Sequence, residues 1–243
     1  MHKHNDPKQQ TVKKQDIFDL YDLCILGGSE SFALEHKMNK TNQTPLHVPY
    51  GQSVHGQEEI DAVVESLNSG WVGGQGPKCI EFEKQIAKRF GKKYGVFVNS
   101  GSSACLLAIA ALDLPKGCKI ITPACTFATT LAPIIQLGFK PVFVDVGLND
   151  YVAILDDVIA AVDEDVKAIM LPNLIGNKPD WDALKSALLS MGRDDIYLVE
   201  DSADTITKTE CTDVATTSFY ASHVITAGGV GGMVMYNDHK HVV

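Results

Sequence analysis

Apolar residues recur at helical spacing in two segments in the first half of the chain. The first segment carries them at positions i, i+3, i+4 and i+7, namely Ile60, Val63, Val64 and Leu67. This period predicts an amphipathic helix over 57–69, which Gly70 ends. A second helix is predicted from Pro77, a residue suited to a first helical turn, to Gly91.

Further along, short β-branched runs alternate with helical segments. The runs predict strands at 94–99, 119–122, 141–146, 166–171 and 196–200. Helices are predicted between them at 102–112, 127–137, 154–162 and 180–191. Strands that are apolar on both faces and separated by helices indicate an α/β fold with a largely parallel sheet, covered on both sides. Two more strands, at 214–220 and 230–236, flank a glycine-rich turn over 228–232 that suits a hairpin or a tight crossover.

Composition narrows the class of protein. The 243 residues are 45% hydrophobic and 21% charged, and the net charge of −9 argues against a surface that binds nucleic acid or anionic membranes. No apolar run approaches the ~20 residues of a membrane span, and the first residues lack the apolar core of a signal peptide, so we expect a cytoplasmic protein. Six scattered cysteines without a C-x-x-C pair predict reduced thiols, with neither a zinc site nor a disulfide framework.

The loops that follow the predicted strands carry the candidate chemistry, because ligands of open α/β sheets bind at the carboxyl ends of strands. The first such loop contains Gly101, Ser102 and Ser103 directly before a helix. Hydroxyls and free backbone N–H groups at a helix N-terminus can hold a phosphate, although the same residues also suit an ordinary helix cap.

Three later loops each offer one candidate side chain. Phe127 can stack on a planar ring, or it can be a core residue. Asp201 ends a buried strand, where a carboxylate is costly without a cation or donors, but a helix cap is the alternative. His223 follows a strand and can act as a general base, although a lone histidine usually has no catalytic role. Together with Ser218, these features are what a pyridoxal phosphate site requires.

The order and spacing of several segments resemble the DegT-type sugar aminotransferase superfamily, a branch of the type I aminotransferase fold. The segments are GWVGGQGPKCIEFEKQIAKRFG, VNSGSSACLLAIAAL, ITPACTFATTLAPIIQLGFKPVFVDV, EDSAD and SFYASHVITAGGVGGMV. The resemblance extends from Pro49 to Asn237 and implies pyridoxal phosphate or pyridoxamine phosphate as the cofactor. It implies that Gly101, Ser102, Ser103 and Ser218 contact the cofactor phosphate, that Phe127 stacks on the ring and that Asp201 pairs with the pyridine nitrogen. Asp204 occupies a cofactor-contacting position where many of these aminotransferases carry Gln or His, and Asn173 stands where His is common.

His223 stands where these aminotransferases carry the lysine that binds the cofactor aldehyde, five residues after Ser218. That replacement marks the subgroup of 3-dehydratases that act on nucleotide-linked 4-keto-6-deoxyhexoses. The resemblance therefore implies loss of the sugar's C3 hydroxyl, with His223 as the base, in deoxysugar biosynthesis for lipopolysaccharide, O-antigen or other surface glycans. An ordinary nucleotide-sugar aminotransferase, or a truncated and inactive member of the family, remains the alternative.

One subtype of these dehydratases carries a [2Fe–2S] cluster, and a second subtype regenerates pyridoxamine phosphate with glutamate. The first subtype has a cysteine two residues after the strand-end aspartate, where this chain has Ala203, so a cluster is disfavoured; Cys211 is a distant substitute. The resemblance also implies a homodimer with a nucleotide-linked sugar as substrate. We expect an N-terminal arm with one weak helix over 1–47 and a cofactor-binding large domain over 48–243, truncated before a small C-terminal domain.

Overall fold

A computed structural model describes Gly51 and residues 53–241 of the chain. The N-terminal arm expected over 1–47 lies outside the described residues. The elements that follow agree with the predicted order along the chain, and their ends differ from the predictions by at most a few residues.

Two helices come first, α1 (Gln57–Ser69) and α2 (Pro77–Arg89). The remaining helices are α3 (Gly101–Ala110), α4 (Ala128–Gln136), α5 (Leu155–Ala160) and α6 (Trp181–Ser190). The strands are β1 (Tyr94–Val98), β2 (Lys119–Pro123), β3 (Lys140–Val144), β4 (Val166–Pro172), β5 (Tyr197–Asp201), β6 (Val214–Ser218) and β7 (Gly232–Tyr236). Short 3₁₀ turns lie at Leu174–Gly176 and His239–His241.

All seven strands form one sheet in the order β1-β7-β6-β5-β4-β2-β3. The pairs β3–β2, β2–β4, β4–β5 and β5–β6 are parallel. Strand β7 is antiparallel to both of its neighbours, β6 and β1. The prediction of an α/β fold with a largely parallel sheet is therefore confirmed. The connection over 219–231 between the antiparallel neighbours β6 and β7 contains the predicted glycine-rich turn.

The sheet buries apolar side chains on both faces, as the β-branched runs predict. Successive residues of one strand point to opposite faces, so Ile120 joins the cluster under α3 and α4, whereas Ile121 joins the cluster under α5 and α6. A third cluster packs α2 against β6 and β7 through residues such as Phe90 and Met235. Each layer of helices thus fixes the strand ends from which the loops project.

Helix α1 differs from the others because none of its residues is buried. The helix carries the predicted apolar stripe, but the stripe residues Val63 and Leu67 are 59% and 58% exposed in the described part of the chain. Gly70 ends the helix in the left-handed conformation, as predicted. None of the helices within 53–241 combines the length and the apolar character that crossing a membrane would take.

Candidate active site

A cavity of about 420 Å³ lies at the carboxyl ends of the parallel strands, a size typical of small-molecule sites. Strands β4, β5 and β6 reach it through their last residues, Pro172, Asp201 and Ser218. Seven of the eight residues predicted to bind the cofactor or act in catalysis line it together, namely Gly101, Ser102, Phe127, Asp201, Asp204, Ser218 and His223. Residues more than 100 positions apart in the chain are thereby assembled in one site.

Ser103 is the exception, because it is not among the residues that line the cavity. Its backbone N–H donates to Oγ of Ser100 at 3.1 Å, and the two hydroxyl oxygens lie 3.2 Å apart. Ser100 is thus the N-cap of α3 and itself lines the cavity. The structure places Ser103 in the cap that supports the loop.

The N-terminus of α3 lies tightly against the ends of β6 and β7. A Cβ atom added to Gly101 would lie 2.8 Å from Cβ of Ser218, and one added to Gly232 would lie 2.3 Å from the backbone carbonyl of Ser100. Only glycine permits these approaches. The backbone N–H groups of Gly101 and Ser102 have no hydrogen-bond acceptor within 53–241, and both residues line the cavity together with Ser218, so an anion can be held there.

Asp201 is a buried carboxylate held by neutral donors. The Thr130 hydroxyl donates to its Oδ2 at 2.8 Å, the Cys105 thiol lies 3.4 Å from the same oxygen, and the Thr216 hydroxyl lies 3.4 Å from Oδ1. Burial raises the pKa of Asp201, and these donors oppose the rise. Within 53–241 it has no ion-pair partner, so the site is electrostatically suited to a cationic group in the cavity.

A second chain of buried hydrogen bonds holds Asn173, one of the residues that line the cavity. The Trp181 indole N–H donates to Oδ1 of Asn173 at 3.3 Å, the Asn173 amide donates to Oγ of Ser202 at 2.6 Å, and the Ser202 hydroxyl donates to Oε1 of Glu200 at 2.9 Å. Burial raises the pKa of Glu200 as well. Asn173 lines the cavity with its amide fixed on both sides, so its orientation is set by the fold.

His223 lies in the connection between β6 and β7, which folds back on itself. Its backbone N–H donates to the Tyr220 carbonyl at 2.9 Å, and the Ala221 N–H donates to the Gly229 carbonyl at 3.0 Å. The ring meets the Tyr220 ring edge-on at 6.1 Å. Its Nδ1 is buried with no hydrogen-bond partner in the described part of the chain, and its Nε2 lies 3.9 Å from Oδ1 of Asp204. The glycine-rich turn thus presents the imidazole to the cavity.

Phe127 is not a core residue, because its side chain is 68% exposed. It stands immediately before α4, at the cavity, where an aromatic face is available to a planar ligand.

Sequence reasoning missed the residues that support the site. Cys105, Thr130 and Thr216 lie inside a helix or a strand and meet Asp201 only through the tertiary fold, so no local motif marks them. Cys211 is not part of this cavity, because it lines a separate one of about 440 Å³ with Lys178 and Trp181.

Comparison with known proteins identifies relatives. Residues 53–242 match the DegT/DnrJ/EryC1/StrS aminotransferase family. The chain is 34% identical, over 80% of its length and 52% of the relative's, to GDP-4-keto-6-deoxy-D-mannose 3-dehydratase of Escherichia coli O55:H7. It is also 34% identical, over 77% of its length and 50% of the relative's, to dTDP-4-dehydro-2,3,6-trideoxy-D-glucose 4-aminotransferase of Saccharopolyspora spinosa. The chain spans about half the length of these curated relatives.

A solved structure agrees with the sequence matches. GDP-4-keto-6-deoxy-D-mannose-3-dehydratase of Escherichia coli, with bound hydrated PLP, superposes with a TM-score of 0.73 at 33% identity. The match covers 81% of this chain and 52% of that one. The predicted type I aminotransferase fold is therefore confirmed.

Proposed function

The chain belongs to the DegT/DnrJ/EryC1/StrS aminotransferase family, and we propose that it is a 3-dehydratase dependent on pyridoxal and pyridoxamine phosphate. Its substrate in this proposal is a nucleotide-linked 4-keto-6-deoxyhexose, which loses its C3 hydroxyl during deoxysugar biosynthesis for surface glycans. The observation that carries the proposal is His223, which lines the cavity of Asp201 and Ser218 at the position where the family's aminotransferases carry lysine.

The described residues fit the cofactor. Asp201 is buried and has no cationic partner among residues 53–241, and a protonated pyridine nitrogen would satisfy it. The free N–H groups of Gly101 and Ser102, with the Ser218 hydroxyl, suit a phosphate, and exposed Phe127 suits a ring face. When bound, the cofactor supplies an amine that can condense with a ketone and a ring that can accept electrons.

His223 determines which chemistry the site favours. An imidazole cannot form the stable Schiff base that a lysine amine forms with the cofactor aldehyde, so the cofactor's amino form stays available to a keto sugar. Its Nδ1 is buried, whereas Nε2 lies beside Asp204 in the cavity, so Nε2 is the atom that accepts and returns a proton. A base that does not capture the cofactor favours dehydration over transamination.

Borohydride reduction tests this assignment. With His223 at the lysine position, we expect no covalent cofactor adduct after reduction of the protein loaded with pyridoxal phosphate. His223→Lys is expected to create one, detectable by mass spectrometry of the peptide that contains position 223. An adduct in the unmodified protein at another lysine would contradict the proposal and favour a sugar aminotransferase, the activity of one relative.

We propose that turnover requires glutamate as amino donor and no iron–sulfur cluster. The support is Ala203, which lines the cavity at the position where the cluster-containing subtype has a cysteine. Iron-free protein is expected to form product repeatedly with glutamate alone. A dependence on added iron, sulfide and a reductase would contradict this part of the proposal.

We also propose a homodimer with the sites at the subunit interface. Among the described residues that line the cavity there are two carboxylates and no lysine or arginine, although the cofactor phosphate and a nucleotide diphosphate are anionic. A second subunit is the source of cations that the proposal requires. Sedimentation equilibrium is expected to give a dimer, and a monomer that binds the cofactor with undiminished affinity would contradict it.

A further inference from the structure

The Asp204 carboxylate is held from two directions inside the candidate cavity. Its Oδ2 accepts a hydrogen bond from the Ile175 N–H at 2.9 Å, and its Oδ1 lies 3.9 Å from Nε2 of His223. Asp204 therefore links the turn after β4 to the connection between β6 and β7. It also lines the cavity next to the base proposed above.

Ile175 adopts a strained conformation that serves this contact. Its φ of 56° and ψ of 24° lie in the left-handed region, which β-branched residues rarely enter. The side chain is 69% exposed, so burial of its apolar surface does not explain the conformation. The following residue, Gly176, also has a positive φ of 83°. In this turn, the N–H of Ile175 is directed at Asp204 and fixes one oxygen of the carboxylate.

The other oxygen is placed to act on His223 by charge. A separation of 3.9 Å is too long for a hydrogen bond, so Asp204 does not engage Nε2 as an acceptor. The same separation is short for an interaction between charges, and both side chains are partly shielded, with 23% exposure for His223 and 36% for Asp204. The Asp204 carboxylate is thus close enough to act on the His223 ring through its charge.

We propose that Asp204 is a positioning residue for His223, and that its carboxylate, anchored by the Ile175 N–H, stabilises the imidazole after Nε2 has accepted a proton. This inference rests on the proposed function, in which His223 moves a proton. It assigns Asp204 a partner in the protein in place of the direct cofactor contact that the family resemblance implies. The strained turn after β4 then has a role in the reaction, because it orients the carboxylate.

Asp204→Asn distinguishes a positioning role of Asp204 toward His223 from a direct contact with the cofactor. The amide oxygen can still accept from the Ile175 N–H, so the change removes the charge and little of the shape. Asp157→Asn is the matched control, because Asp157 is an exposed carboxylate on α5 away from the cavity. Asp204→Glu, which keeps the charge, serves as a second variant if the asparagine protein is poorly folded.

The first readout needs neither cofactor nor turnover. Diethyl pyrocarbonate modifies the unprotonated imidazole, and mass spectrometry follows the peptide that contains His223. Modification in Asp204→Asn is expected to be about threefold faster than in the wild type, because the substitution removes the carboxylate charge that lies 3.9 Å from Nε2. Asp157→Asn is expected to match the wild type, and Asp204→Glu is expected to be slower than Asp204→Asn. An equal rate in Asp204→Asn and in the wild type would overturn the proposal.

The second readout is the affinity for pyridoxamine phosphate, measured by equilibrium titration. The positioning role predicts that the dissociation constant of Asp204→Asn stays within about threefold of the wild type, while kcat falls about tenfold or more with little change in KM. A tenfold weaker cofactor affinity would overturn the proposal and assign Asp204 as a cofactor ligand. If the wild type forms no deoxygenated sugar but the modification rates still differ, the pairing stands and the proposed function fails.

Discussion

Asp201 shows how the burial of a single carboxylate marks a candidate binding site. A carboxylate at the buried end of a strand loses hydration, and three neutral donors compensate only in part. The residue type and the strand end were visible in the sequence, so Asp201 could be predicted as a candidate. Its donors could not, since Thr130 and Cys105 lie 71 and 96 residues away in the chain.

Asp201→Asn is expected to stabilise the cofactor-free protein while removing cofactor binding. Burial raises the pKa of Asp201 above its ordinary value of 3.8, so the folded state holds the proton more tightly than the unfolded state does. Folding stability therefore falls as the pH rises from the ordinary value through the raised pKa, and the uncharged asparagine avoids that loss. Urea unfolding should show a larger gain for the variant at about pH 8 than at about pH 5. A gain that is larger at the lower pH would contradict this assignment.

Thr130→Val is expected to weaken pyridoxamine phosphate binding about tenfold. The substitution removes the shortest hydrogen bond to Asp201, and a bond to a charged group contributes about 1.5–3 kcal/mol. Thr130→Ser keeps the hydroxyl and is the control. Equilibrium titration of the cofactor measures both variants, and equal affinity in Thr130→Val and the wild type would contradict a role of this hydrogen bond in cofactor binding.

At the scale of elements, hydrophobic pattern was sufficient to place every helix and strand within 53–241. The strands are buried on both faces and the helices are bounded by Pro77, Gly70 and Gly91, so local chemistry and tertiary packing agree. The burial of α1 could not be predicted in the same way. An apolar stripe indicates that a helix can pack against another apolar surface, but it does not identify that surface. In the described part of the chain the apolar stripe of α1 is exposed.

The approach of α3 to β7 gives a test of packing between elements. Gly232→Ala is expected to destabilise the fold by about 2–3 kcal/mol, because its Cβ would meet the backbone of Ser100 and Gly101 at 2.3–2.5 Å. Gly73→Ala is the control, since a Cβ there meets no atom within 4 Å, and its effect should be below about 0.5 kcal/mol. Urea unfolding of both variants measures the difference, and equal stabilities would mean that α3 is not held against β7 as described.

At the level of the whole molecule, the acidic composition agrees with the lack of cationic side chains among the described residues that line the cavity. The net charge of −9 argues against a basic surface, and the described residues that line the cavity include no lysine or arginine, so the proposed function relies there on backbone N–H groups and hydroxyls and on cations from a second subunit. The order of predicted strands and helices was enough to predict an α/β fold, and the loops after the strands, together with the family resemblance, pointed to seven residues that line the cavity. The sequence could not assign the strained turn at Ile175 or the two buried polar chains, because they depend on packing between distant elements.

If this chain deoxygenates a sugar, mass spectrometry of the reaction product will detect the loss of the oxygen atom. The protein is incubated with pyridoxamine phosphate, glutamate and a nucleotide-linked 4-keto-6-deoxyhexose such as GDP-4-keto-6-deoxy-D-mannose. The expected product is a keto sugar that has lost one oxygen atom, and no such product is expected with His223→Asn. A product that keeps its C3 oxygen and carries an amine at C4 would contradict the proposed function and identify an aminotransferase.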